Sequence, residues 1–235
     1  MSSHAMVTVR TDAGDMPAHL WTPDGGGGAG VVLLQEIFGI SRYIQTRGEA
    51  LADEGYVVLA PELYWRVESS PIDESAEGAM DEAFRRMNAL DWPTTVQDSV
   101  HALQELRRRD EVHGGTGVLG FCFGGGLAFN VAADEDPDVL VSYYGSALPN
   151  LLELADQVTA PSIYHFGLAD DYIPARVVGQ IEEAVATDHP DTEFHTYPKA
   201  NHAFDNWNFA LHDNDASALA WERTLTFLHR ELPTR

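Results

Sequence analysis

The chain has 235 residues, 44% of them hydrophobic, which suits a folded unit with a sizeable core and excludes a disordered one. Thirty-seven Asp and Glu oppose fourteen basic residues, thirteen of them arginine and one lysine, Lys199, for a formal net charge of −23. Such a surface repels phosphate backbones and anionic headgroups, so neither nucleic acid nor a membrane is an expected partner.

Residues 1–6 lack the apolar stretch of a signal peptide and are read as a tail outside the fold. Residues 7–10 and 18–21 then read as two short strands. The glycine run 25–28 is expected as a flexible hairpin connection and not a phosphate loop, since no Lys-Ser/Thr pair follows it. Residues 31–34 are a buried-strand candidate, 43–54 a helix stopped by Gly55, and 56–60 a second buried strand closed by Pro61. The acidic stretch 68–77 is irregular and reads as solvated surface, with a cap over a site as the other option. It leads into a helix around 80–90. Thr94 or Thr95 would cap the next helix, which runs to about Arg109. Strands at 116–120, 139–144, 162–166 and 193–197 alternate with a helix holding Leu127, Phe129 and Val131, and with helices at 175–186 and 216–232.

Short apolar strands separated by helices call for a mostly parallel central sheet with helices on both faces. No repeat or linker divides the chain, so residues 1–235 read as a single α/β domain. No apolar run approaches the roughly 18 residues of a membrane span, and the expected location is the cytoplasm. Cys122, the single cysteine, leaves no internal disulfide and no cysteine-built zinc site.

The sharpest local feature is Gly120-Phe121-Cys122-Phe123-Gly124-Gly125, which follows a predicted strand and opens a predicted helix. This is the context of the G-x-S-x-G nucleophile elbow, with cysteine in place of serine. A nucleophile at the apex of so tight a turn needs small residues two positions to either side, which Gly120 and Gly124 supply. The helix N-terminus favours thiolate, and the N–H of Phe123 would form half of an oxyanion hole. A thiolate nucleophile needs a proton shuttle and a group to orient it, following in the order acid, then histidine. Asp170 or its neighbour Asp171 follows strand 162–166, and His202 follows strand 193–197. His165, inside a strand, reads as a satisfied core residue.

Gln35-Glu36-Ile37-Phe38-Gly39 follows strand 31–34, where this architecture takes its second oxyanion donor, here the N–H of Ile37. Glu36 is unusual there. A carboxylate would oppose the developing negative charge unless it is paired or moves, and its apolar neighbours favour a functional group over a solvated one.

These residues resemble those of dienelactone hydrolase and its relatives within the α/β-hydrolase fold. The likeness runs from Val31 to Leu228. Its motifs are Gln35-Glu36-Ile37-Phe38-Gly39, Pro61-Glu62-Leu63-Tyr64, the Cys122 elbow, Asp170-x-x-Ile173-Pro174 and Asn201-His202-Ala203-Phe204. The resemblance selects Asp170 over Asp171 and implies a Cys122-His202-Asp170 triad acting through an acyl-thioester. It further implies that Glu36 pairs with Cys122 at rest, and that no metal or organic cofactor is used. Family members that take anionic dienelactones hold the substrate carboxylate with two arginines. This chain has Met80 and Asp205-Asn206 at those places, with Arg85 or Arg86 as the only nearby substitutes. The expected substrate is therefore a neutral small-molecule ester or lactone, with Phe38, Tyr64, Trp65, Tyr144 and Trp207 as candidate pocket lining.

Two other readings keep the elbow: a thiol-based redox or stress protein using a low-pKa Cys122, and a former hydrolase acting as a binding protein. Asp170 and His202 in the proper order argue against both. The chain is expected to work as a monomer or small homo-oligomer. Because the Debye length falls from about 8 Å at 0.15 M salt to about 3 Å at 1 M, the acidic surface points to a halophile, an unusually acidic mesophile being the alternative.

Overall fold

Residues 31–34, 57–60 and 118–121 are apolar on both sides of their strands, and so must lie inside a sheet covered twice. The computed structural model, which describes residues 2–68, 70 and 72–234, places them there. In chain order the elements are β1 (Ser3–Thr11), β2 (Gly14–Thr22), β3 (Gly28–Leu34), α1 (Arg42–Asp53), β4 (Val57–Pro61), α2 (Ala79–Asn88) and α3 (Trp92–Arg107). They continue with β5 (Val112–Phe121), α4 (Phe123–Glu135), β6 (Val139–Tyr143), β7 (Ser162–Gly167), α5 (Ala175–Ala186), β8 (Thr192–Tyr197) and α6 (Asn214–Glu231). Two 3₁₀ turns, Leu148–Asn150 and Leu152–Gln157, fill the connection between β6 and β7.

The eight strands form a sheet in the order β1-β2-β4-β3-β5-β6-β7-β8. Only β1 and β2 run antiparallel to their neighbours; from β4 to β8 the pairing is parallel. β3 and β4 are buried throughout, as both-face coverage requires. α1 and α6 share one face, joined where the Arg47 guanidinium lies 4.1 Å over the Trp221 ring. α3 and α4 pack together on the other. Among the described residues no helix is long and apolar enough to cross a membrane.

Three expectations need correction. Residues 3–6 are not a tail: they belong to β1, paired with residues 19–22 of β2. A polar edge strand whose side chains are mostly exposed has no hydrophobic alternation to announce it. The glycine run 25–28 is not a hairpin connection, because it leads from β2 to β3 and β4 lies between those strands. The α3 cap is Asp91, whose side chain accepts from the N–H of Thr94 at 3.0 Å; Thr94 and Thr95 lie inside the helix.

Parallel strands bring their carboxyl ends to one edge, where an open α/β sheet gathers its reactive groups. β3, β5, β6, β7 and β8 deliver Glu36, Cys122, Tyr144, Asp170 and His202 to that edge.

Candidate active site

Cys122 sits between β5 and α4 with φ 53° and ψ −114°, a conformation that L residues rarely adopt. The crossing of strand and helix explains the flanking glycines. A Cβ on Gly120 would fall 1.9 Å from the Gly124 carbonyl oxygen, and one on Gly124 would fall 2.3 Å from that of Leu34. Of the four non-glycine residues with positive φ among the described residues, three are here: Cys122, Tyr144 (36°) and Ala203 (55°), the last directly after His202. Backbone strain is thus concentrated around the thiol.

The thiol meets His202 Nε2 at 3.1 Å, and His202 Nδ1 meets Asp170 Oδ2 at 2.7 Å. The other carboxylate oxygen, Asp170 Oδ1, accepts from the N–H groups of Tyr172 (2.7 Å) and Ile173 (2.9 Å), so the loop after β7 fixes the acid before it meets the imidazole. Asp171 faces elsewhere, taking a 2.7 Å bond from the Asn201 side chain. Burial alone would lower the His202 imidazole. The Cys122 sulfur and the Asp170 carboxylate outweigh it and push the pKa up to about 10. The geometry thus holds a readily protonated imidazole against the sulfur.

Ile37 and Phe123 line the same cavity as the thiol. Phe123 is the first residue of α4, where an N–H has no intrahelical acceptor. Ile37 is the second residue of a tight turn closed by Gly39 N–H donating to the Glu36 carbonyl at 3.1 Å. The Tyr64 hydroxyl anchors that turn by donating to the Ile37 carbonyl at 2.7 Å.

Glu36 is buried, but it does not pair with Cys122. Its carboxyl accepts from Asn206 Nδ2 at 2.8 Å and from the Tyr144 hydroxyl at 3.3 Å. Burial pushes its pKa up to about 8; Glu74 and Asp205 reinforce this, while Asn206 and His202 oppose it. The raised pKa favours the neutral acid, which weakens the objection to a carboxylate beside an oxyanion. The acidic stretch contributes here too: Glu74 accepts from Asn206 at 3.4 Å and from the Asn208 side chain.

The cavity over the thiol measures about 550 Å³. Of the five residues expected to line it, only Phe38 does. Tyr64 supports the turn beneath. Tyr144 is fully buried, its ring 5.2 Å from that of His202. Trp65 donates to Asp98 at 3.0 Å, and Trp207 lies outside with the Arg42 guanidinium 5.6 Å from its ring. The wall is built instead from Met80, Phe84, Met87, Leu90, Trp92 and Phe209, none of which was singled out as lining from the sequence. The 80/84/87 spacing, one face of a helix, was the available signal. Ser146 was also missed; its hydroxyl lies 4.0 Å from the thiol.

Neither arginine substitute reaches the cavity. Arg85 pairs with Glu82 and Glu68, and buried Arg86 bonds Glu82 together with the carbonyls of Glu68 and Ser70. The lining contains no lysine or arginine. His165 is a satisfied core residue, bonded to the Tyr197 hydroxyl (2.8 Å) and the Thr224 hydroxyl (3.0 Å). Among the described residues no cluster of His, Cys, Asp and Glu is arranged to hold a metal ion.

The model of the dienelactone hydrolase family matches residues 16–232. A carboxymethylenebutenolidase from Pseudomonas putida is 33% identical over 199 residues, covering 84% of each chain. Carboxymethylenebutenolidase 1 of Cupriavidus pinatubonensis is 30% identical over 229 residues, covering 97% of each. A Klebsiella pneumoniae crystal structure provisionally described as a dienelactone hydrolase matches with a TM-score of 0.85 at 24% identity, over 98% of this chain and 99% of that one. The eight-stranded sheet is accordingly the α/β-hydrolase fold, and the chain belongs to the dienelactone hydrolase family of hydrolases.

Proposed function

We propose that the protein is a cysteine-dependent hydrolase of neutral carboxylic esters or lactones. The observation that carries this reading is the continuous contact Cys122 Sγ–His202 Nε2–His202 Nδ1–Asp170, at 3.1 and 2.7 Å. The Cys122 thiolate attacks the carbonyl carbon, and the oxyanion lies against the N–H groups of Ile37 and Phe123. The His202 imidazolium gives its proton to the departing alkoxide, leaving an acyl-thioester. Neutral His202 then takes a proton from water as the hydroxide adds to the thioester. Collapse of the second tetrahedral intermediate releases the acid and restores the thiolate beside the imidazolium. Asp170 holds the ring in register throughout.

The neutral substrate follows from the cavity. By the family resemblance Met80 takes the place of a carboxylate-binding arginine, and His202 is the only basic residue in the cavity lining. Glu36 lies close to the reacting centre as an uncharged acid, held by Asn206 and Tyr144. The acidic, lysine-poor surface supports work in a salt-rich cytoplasm. A redox role for Cys122 has no comparable support, since it would need neither His202 nor Asp170.

The test is a panel of p-nitrophenyl esters and simple lactones with the wild type, Cys122→Ala and His202→Ala in high salt. Turnover by the wild type and a loss of about 10⁴-fold or more in each variant is the expected result. Full turnover by Cys122→Ala would remove the proposal.

A further inference from the structure

The cavity wall is asymmetric about the thiol, and the asymmetry bears on which half of an ester is recognised. Met80, Phe84 and Met87 project from one face of α2 into the cavity, at the i, i+4, i+7 spacing that aligns side chains along a helix. α2 is held in place from its other side, where buried Arg86 ties it to Glu68 and Ser70. Trp92, edge-on to the Phe123 ring at 5.7 Å, continues the apolar wall to the amide that opens α4. Methionine is flexible and polarisable, so a wall with two of them adapts to chains of different shape.

The His202 side is more exposed than this wall, whose Met80, Phe84, Met87 and Trp92 are half-buried. The alkoxide of an ester must leave beside His202 Nε2, because that nitrogen carries the proton it needs. The neighbour there is Tyr172, whose ring stands edge-on to the imidazole at 5.1 Å and which is 56% exposed. A leaving group at His202 therefore passes toward solvent. The substituents of a trigonal carbonyl diverge, so the acyl group points away from His202.

We propose that the site recognises its substrate through the acyl half, taking esters of apolar carboxylic acids whose chain lies along Met80, Phe84, Met87 and Trp92, and discriminating little among alcohols. This rests on the hydrolase reading above and adds the substrate class to it. A cavity of about 550 Å³ is within the range of sites that enclose small molecules.

Two isomers separate the halves: ethyl hexanoate and hexyl acetate contain the same atoms and release alcohols of similar acidity. The expected result is that kcat/KM favours ethyl hexanoate by at least tenfold. Along the ethyl ester series from acetate to hexanoate it should rise by about fourfold per methylene, the fold-change equivalent to ~0.8 kcal/mol per buried CH₂. Phe84→Ala should reduce kcat/KM for ethyl hexanoate at least tenfold more than for ethyl acetate. Equal rates for the two isomers, or a preference for hexyl acetate, would overturn the acyl assignment and leave the hydrolase reading standing. Calorimetric binding to Cys122→Ala provides a readout independent of turnover. Ethyl hexanoate should bind at least tenfold more tightly than ethyl acetate, and Phe84→Ala in that background should erase the difference. If that holds while the wild type hydrolyses neither ester, the hydrolase reading fails and the apolar chain site survives; equal binding of the two esters would remove the site itself.

Discussion

Asn206 donates its side-chain N–H to Glu36 Oε2 at 2.8 Å, joining the loop after β8 to the loop after β3. A neutral amide stands there, and burial outweighs both it and the more distant His202 in raising the Glu36 pKa.

The pH dependence of stability should report this. With its pKa raised from 4.5 to about 8, Glu36 binds a proton in the folded state over a range in which the unfolded chain has lost it. The stability from this group is full below about pH 4.5 and is lost as pH rises through about 8. Glu36→Gln keeps the neutral form at every pH. Its melting temperature relative to wild type should increase between pH 5 and pH 9, and a constant difference would show that Glu36 is charged in the fold.

On the proposed mechanism, His202 should set the alkaline limit of turnover. Its imidazolium persists to about pH 10, so kcat/KM should fall only above that value, when no proton remains for the leaving alkoxide. The linked stability has the same sign: present in full below about 6.5 and lost as pH rises through about 10. Asp170→Asn removes a carboxylate that raises the imidazole, so the alkaline limb should move to lower pH. Turnover should also drop by about 10⁴-fold. A limb unmoved in Asp170→Asn would assign it to another group.

The buried pair Arg47–Asp205 ties the histidine loop to two helices. Asp205 accepts from Arg47 at 2.6 and 2.8 Å, from the Ser217 hydroxyl at 2.8 Å and from Tyr43 at 2.5 Å. Arg47→Met leaves a fully buried carboxylate without its countercharge, which should cost about 3–5 kcal/mol in urea denaturation. Loss of under about 1 kcal/mol would mean that the loop rearranges to hydrate Asp205.

Salt should stabilise the chain. With a net charge of −23, self-repulsion is strong in dilute buffer and is screened as the Debye length falls to about 3 Å at 1 M. The melting temperature should rise between 0.1 and 3 M KCl. Equal values at both concentrations would withdraw the halophilic reading.

The central strands and the order Cys122, Asp170, His202 were legible in the sequence because each depends on local rules. Strands buried on both faces are apolar throughout, and a nucleophile turn needs glycines at fixed offsets. The cavity wall was not legible. Met80, Phe84 and Met87 look like the core stripe of any amphipathic helix, and only the tertiary placement of α2 turns that stripe toward the thiol. Aromatic residues near the motifs misled for the same reason: Tyr64 and Tyr144 adjoin the site in sequence, yet their hydroxyls brace it from beneath. The partners of Glu36 were equally hidden. Asn206 and Glu74 reach it from segments 170 and 38 positions away, a distance that no local pattern spans.

The absence of lysine and arginine from the cavity wall bears on product release as well. On the hydrolase reading, an acid released there would ionise where the one nearby cation, His202, is already paired with Asp170, and where no arginine lines the wall to hold the new charge. In dilute buffer the net charge of −23 would also oppose retention of the carboxylate. Product inhibition should therefore be weak, and hydrolysis should run on undiminished as its own acid accumulates.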